Sequence, residues 1–102
     1  MILEAAILNV REGEAADFEA AFEEAKAIIA ASPGFGRLRL LRCLETTHRY
    51  LLLVEWANLE DHVVGFRESE PFQEWRRLLH HFYEPFPVVE HYEPLVEVDG
   101  SS

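Results

Sequence analysis

The chain has a single cysteine, Cys43, in 102 residues. An intrachain disulfide framework and any CxxC redox or metal motif are therefore excluded, and Cys43 reads as a small buried residue of a strand. Basic residues are also scarce. Nine Lys and Arg stand against 19 Asp and Glu, a formal charge of −10, and acids such as Glu14, Asp17, Glu23, Glu24 and Glu60 fall on helix faces as a solvated surface. Nucleic acid and anionic membranes are poor partners for such a chain, because the electrostatic attraction that dominates that binding is reversed in sign. No basic n-region, long apolar run or Arg-rich presequence opens it, so the expected location is cytoplasmic. There is no GxGxxG or P-loop sequence, and no internal repeat or linker.

Nearly half of the residues are apolar (49%), enough for one modest core. Residues 1–10 are apolar on both parities, which predicts a strand covered on both faces. After the turn Arg11-Glu12-Gly13, the spacing of Phe18, Ala21, Phe22, Ala25, Ile28 and Ile29 predicts a helix. Ser32-Pro33-Gly34 stops it. Residues 35–44 and 49–56 read as an antiparallel hairpin around the turn Glu45-Thr46-Thr47-His48. Asn58 caps a further helix with Asp61 in its first turn, and Ser69-Glu70-Pro71 caps another that reaches about Tyr83. Pro85 and Pro87 end it, and residues 88–98 form a last strand before a frayed tail, 99–102.

The order β-α-β-β-α-β with a split second helix is an α+β, ferredoxin-like pattern. Helices cover one face of such a sheet. The two-sided apolar strands leave the other face to meet a second copy, giving a single domain over 1–98 that forms a homodimer.

The strand ending Val54-Glu55-Trp56, the helix with His62 and Phe66, the junction Ser69-Glu70-Pro71-Phe72, and the stretch from Leu78 to Pro87 leading into Val89-Glu90-His91-Tyr92 together resemble the antibiotic biosynthesis monooxygenase family. The resemblance covers about residues 1–97 and implies a dimeric α/β barrel, each pocket lying between a subunit's sheet and its helices. Relatives include cofactor-free oxygenases of quinols and anthrones, and haem-degrading enzymes with an Asn, Trp and His set. Aligned on this chain, that set falls on Ala6, Phe66 and Arg76, none of which matches. Asn9, Trp75 and His80 are present, but Asn9 has the opposite strand parity to Ala6, so haem degradation is not expected.

Several residues remain as candidates for chemistry. Phe72, Trp75, Leu78, Leu79, Phe82 and Tyr83 form an apolar arc of the last helix, with Arg76 and His80 at its borders. Most of that arc also fits an ordinary core face. His62 flanks Phe66, where it is either a hydrogen-bonded structural residue or a base for a phenol. Glu4 shares the parity of Ala6, the helix-covered face, so it must be paired, protonated or at the sheet edge. Arg37 and Arg39 are its candidate partners. The histidines 48, 62, 80, 81 and 91 show no HExxH spacing, and His80 and His81 diverge, so no metal is expected.

The resulting expectation is a monooxygenase of a small electron-rich aromatic that uses dioxygen without metal, flavin or other cofactor. His62 or His80 would be the base, Arg76 the anion stabiliser, and Glu4, Phe66, Trp75, Phe82 and Tyr83 would contact the substrate. The alternative is a non-catalytic, dimeric small-molecule binding or scaffold protein of the same fold.

Overall fold

The computed structural model describes residues 1–100. Four antiparallel strands, β1 (Ile2–Asn9), β2 (Phe35–Arg42), β3 (Arg49–Trp56) and β4 (Val89–Tyr92), form one sheet in the order β2-β3-β1-β4. Two helices, α1 (Ala15–Ala30) and α2 (Glu70–Leu79), lie on one face, and a π-helical turn, Asp61–Phe66, precedes α2. This is the expected α+β ferredoxin-like arrangement.

Alternation along the strands decides which residues meet the helices. Glu4, Ala6 and Leu8 of β1, and Tyr50, Leu52, Val54 and Trp56 of β3, are buried on that face. α1 answers with Phe18, Phe22, Ala25 and Ile29, one helical stripe that is buried throughout. Aromatic edges lock the layers together: Phe18 lies 4.9 Å from Tyr50, and Phe22 lies 5.7 Å from Trp75 of α2. Such pairs contribute about 0.5–1.5 kcal/mol each beyond burial.

On the opposite face Ile7 is 54% exposed and Leu41 40%, so this side of the sheet stands open in the single chain. Gly34 links α1 to β2 with φ +83, a conformation that suits glycine. A side chain there would also run into the Asp61 carboxylate.

Several boundaries differ from the sequence reading, and β2, expected to reach Leu44, ends at Arg42. α2 stops at Leu79, and residues 80–82 tighten into a 3-10 turn. Here the backbone turns to the end of β1, where Arg11 N–H donates to the Phe82 carbonyl (2.9 Å) and Glu84 N–H to the Asn9 carbonyl (2.8 Å). β4 is four residues long instead of the expected 88–98. Tyr92 already pairs with Leu3 at the start of β1, so residues beyond it run past the end of their ladder, and Pro94 has no N–H to offer. Leu95, Val96 and Val98 are consequently exposed. The last 3-10 turn and the π turn replace what periodicity alone reads as α-helix: Arg67 N–H bonds the His62 carbonyl at 3.1 Å, five residues back.

Cys43, expected to be buried, is half-buried just past β2. Of the expected tail, Asp99 and Gly100 have no regular structure, and residues 101–102 lie outside those described.

Candidate functional site

Between the sheet and the helices lies a cavity of about 410 Å³, within the ~300–1,000 Å³ typical of small-molecule sites. Glu4, Ala6 and Leu8 of β1 and Leu52 of β3 form its floor. Phe66, Phe72, Trp75 and Phe86 provide aromatic wall, and Glu4, His62, Arg67, His80 and Tyr83 supply the polar groups.

Local structure explains how the polar groups arrive there. Asn58 Oδ1 accepts from Asp61 N–H at 3.2 Å, opening the turn that carries His62 and Phe66 inward. Ser69 caps α2 as expected, accepting from Phe72 N–H at 3.4 Å while its hydroxyl donates to the Phe66 carbonyl at 2.6 Å. His62 then stacks on Trp56, with ring centroids 5.3 Å apart and planes 16° from parallel.

Glu4 occupies one end of a row of polar side chains. Trp56 Nε1–H donates to Glu4 Oε1 at 2.9 Å, and His62 Nε2 lies 3.3 Å from the same oxygen. The other His62 nitrogen, Nδ1, is 2.8 Å from His91 Nε2. Burial raises the Glu4 pKa, against the lowering effects of the Trp56 hydrogen bond and the Arg67 charge. Burial, with help from Arg67 and His91, pushes His62 down to about 3. With His62 held neutral, its contact with Glu4 is not an ion pair, and burial also works against charge on Glu4.

The partners expected for Glu4 are not its partners. Arg37 and Arg39 lie on the open face, where Arg37 is opposite Glu55 and 4.0 Å from its carboxylate. Leu38 and Leu40 take the helix-facing positions between them. Strand alternation thus separates both arginines from Glu4 by the thickness of the sheet.

His80 stands differently from His62. It lines the cavity among Phe72 (5.9 Å), Tyr83 (6.0 Å) and Phe86 (5.0 Å), and its ring makes no hydrogen bond among the described residues. Burial, and then the charge of Arg76, lower its pKa, so its neutral, proton-accepting form is favoured. The Tyr83 hydroxyl has no protein partner among the described residues either. Burial first, and the Glu4 carboxylate second, raise its pKa, which keeps it a donor.

Of the residues singled out from the sequence, Glu4, His62, Phe66, Trp75, His80 and Tyr83 line one cavity. Arg76 and Phe82 do not. The buried side of α2 is set by Trp75 and Leu79, leaving Arg76 exposed. The 3-10 turn directs Phe82 into the core, 5.7 Å from Phe18. Arg67 takes the place at the cavity that Arg76 was expected to hold. His91 and Trp56 were missed as site residues, and the signal for them was strand pairing: Glu4 faces His91 across β1 and β4. His81 is exposed, as its divergence from His80 predicts. Among the described residues no group of three or more His, Cys, Asp or Glu side chains could hold a metal ion. No helix among them is long and apolar enough to cross a membrane.

Comparison with known proteins gives a consistent result. The chain is 53% identical over 93 residues to the uncharacterised protein YczJ of Bacillus subtilis (strain 168), covering 91% of this chain and 98% of that one. A Bordetella bronchiseptica protein of the antibiotic biosynthesis monooxygenase type superposes with a TM-score of 0.88 at 36% identity, covering 93% of this chain and 97% of the other. SnoaB of Streptomyces nogalater, a cofactor-independent oxygenase, shares the fold with a TM-score of 0.81 at 20% identity over 97% of each chain. The family model for antibiotic biosynthesis monooxygenase matches residues 1–78, and the chain belongs to that family.

Proposed function

We propose that the protein is a cofactor-independent monooxygenase of a small, electron-rich aromatic of the quinol or anthrone type, acting as a cytoplasmic homodimer. The observation that carries this reading is a neutral imidazole, His80, without a protein hydrogen bond in an aromatic-walled cavity beside the Tyr83 hydroxyl. His80 takes a proton from the substrate, and Tyr83 donates a hydrogen bond to the oxygen on which negative charge develops. The anion is then electron-rich enough to reduce dioxygen, and Phe66, Phe72, Trp75 and Phe86 keep water from the reacting pair. Arg67, at the same cavity, favours the anion electrostatically. For an anthrone the balance is CH2 plus dioxygen giving C=O plus water, with the substrate supplying all four electrons.

The test is dioxygen uptake by the purified, metal-free protein with anthrone or a simple quinol. His80→Ala should lower kcat by about 100-fold or more, since positioned bases typically contribute ~10²–10⁴. His81→Ala, altering an exposed ring, should leave uptake near the wild-type rate. Equal losses in the two variants would reject His80 as the base.

The position of Arg76 favours a second reading, a dimeric binding or scaffold protein without turnover, because the cation expected to stabilise the anion is turned to solvent. Tight binding of anthrone without dioxygen uptake would select it.

A further inference from the structure

Arg67 stands apart from the other basic residues. The chain has nine of them against 19 acids, and Arg11, Lys26, Arg37, Arg42 and Arg77 each sit within 4.0 Å of a carboxylate. Arg67 has no such ion pair and no side-chain hydrogen bond among the described residues, and it is the one Lys or Arg that lines the cavity. Its place there follows from the turn it caps. A π-helical turn holds more residues than an α-helical one, so successive side chains are separated by a smaller angle. Arg67, whose N–H bonds the His62 carbonyl at 3.1 Å, therefore lines the same cavity as the buried Phe66 that precedes it, while remaining exposed to solvent.

Resting on the oxygenase reading above, we propose that the substrate is an aromatic carboxylic acid, with Arg67 pairing with its carboxylate at the cavity mouth and the reacting carbon lying at His80. The lining carboxylate, Glu4, leaves the guanidinium available. It accepts from Trp56 Nε1–H at 2.9 Å and makes no ion pair with Arg67 among the described residues, and burial works against its charge. Cation and base also occupy separate parts of the cavity. The charge of Arg67 is felt by Glu4, His62 and His91, whereas the cationic charge felt by His80 is that of Arg76.

A guanidinium offers a carboxylate two parallel N–H donors in a fixed fork, which orients the anion as well as attracting it. With the acid held by Arg67, the aromatic body of the ligand lies along Phe66, Phe72 and Trp75. The contact is remote from the reacting carbon, so its binding energy serves to set the ring against His80. The acidity of the whole chain does not forbid such a ligand. Distant surface charges are screened within about 8 Å at physiological ionic strength, which leaves the charge at the mouth to decide. A neutral amide in place of the acid keeps the shape and the hydrogen-bonding oxygen but loses the charge. Preference for the acid over its amide is therefore the signature of Arg67.

The experiment titrates the protein with 2-naphthoate and with 2-naphthamide, its neutral counterpart, by isothermal calorimetry. Wild type should bind the acid at least about 5-fold more tightly than the amide, the gain expected of a charge-assisted pair that stays partly in water. Arg67→Gln should abolish that preference by weakening the acid alone. Arg67→Lys, a point charge without the fork, should keep part of it. Arg76→Gln removes the same charge from an exposed site outside the cavity and should leave the preference intact. Equal affinity of wild type for acid and amide, no binding of the acid, or equal losses in Arg67→Gln and Arg76→Gln overturns the inference. Dioxygen uptake is measured separately with anthrone. Its absence in wild type overturns the oxygenase reading, while the naphthoate preference still decides the role of Arg67.

Discussion

His62 is 3% exposed, with Nδ1 hydrogen-bonded to His91 and Nε2 3.3 Å from the Glu4 carboxylate, and its burial ties the stability of the fold to pH. In the unfolded chain its pKa returns to about 6.5, against about 3 when folded. The unfolded state therefore binds the proton more readily. The stability due to neutral His62 is full above pH 6.5 and is lost as pH falls toward 3, at up to ~1.4 kcal/mol per pH unit. Glu4 acts with the opposite sign: its raised pKa makes its contribution full below 4.5 and lost as pH rises through the folded value. Urea titrations of wild type and His62→Gln isolate the histidine, and the variant should show the shallower loss between pH 6.5 and 4.5. A wild-type midpoint that falls in parallel with the variant would mean His62 is already protonated when folded. At this scale the sequence was legible where one element decided the outcome. Helical spacing put His62 beside Phe66, and parity put Glu4 under the helices. The partners of Glu4 were not legible, because Trp56 and His91 reach it from strands 52 and 87 residues away in the chain through pairing registers. Arg76 illustrates the opposite failure. An ideal 100° step places it at the border of an apolar arc, but docking of Trp75 against Phe22 turns that border to solvent.

Elements were readable where a stop signal and a periodicity agreed. β3 was expected over the residues it occupies, and α1 over its apolar stripe, because Gly13 and Gly34 bracket the helix with turns. β4 was overextended for a reason outside its own residues. Val96 and Val98 have strand propensity, but β1 offers no partner beyond Leu3 within one chain. Gly34 is where two elements depend on one residue, since its carbonyl also accepts from Ala57 N–H at 2.8 Å and so joins the start of β2 to the end of β3. Gly34→Ala should destabilise by about 1–2 kcal/mol from the positive φ alone, and by more from the collision with Asp61. Gly100→Ala, with open space around it, serves as the control. Equal melting temperatures for the two would show that the α1–β2 link tolerates a left-handed alanine.

For the whole molecule, the expected homodimer rests on the open sheet face, where Ile7 of β1 and Leu41 of β2 are exposed. Sedimentation at micromolar concentration should give about twice the chain mass of 11.8 kDa, and Ile7→Glu should shift it toward one chain mass by placing a carboxylate in the contact. A monomer in wild type would remove the dimer from the proposed function. The rim of the sheet has a different character. β2 is an edge strand, and its open-face arginines, Arg37 and Arg39, are two of the nine basic residues of a strongly acidic chain. An exposed strand edge is a template for growth, and rows of like charge are among the devices that discourage it. Two such rims brought together repel through their guanidinium groups. The guanidinium row thus acts as a colloidal safeguard whose range is set by ionic strength, shrinking to about 3 Å at 1 M salt. Arg39→Val should make ribbons grow from β2 in high salt, visible as thioflavin T fluorescence, under conditions in which the wild-type protein stays dispersed.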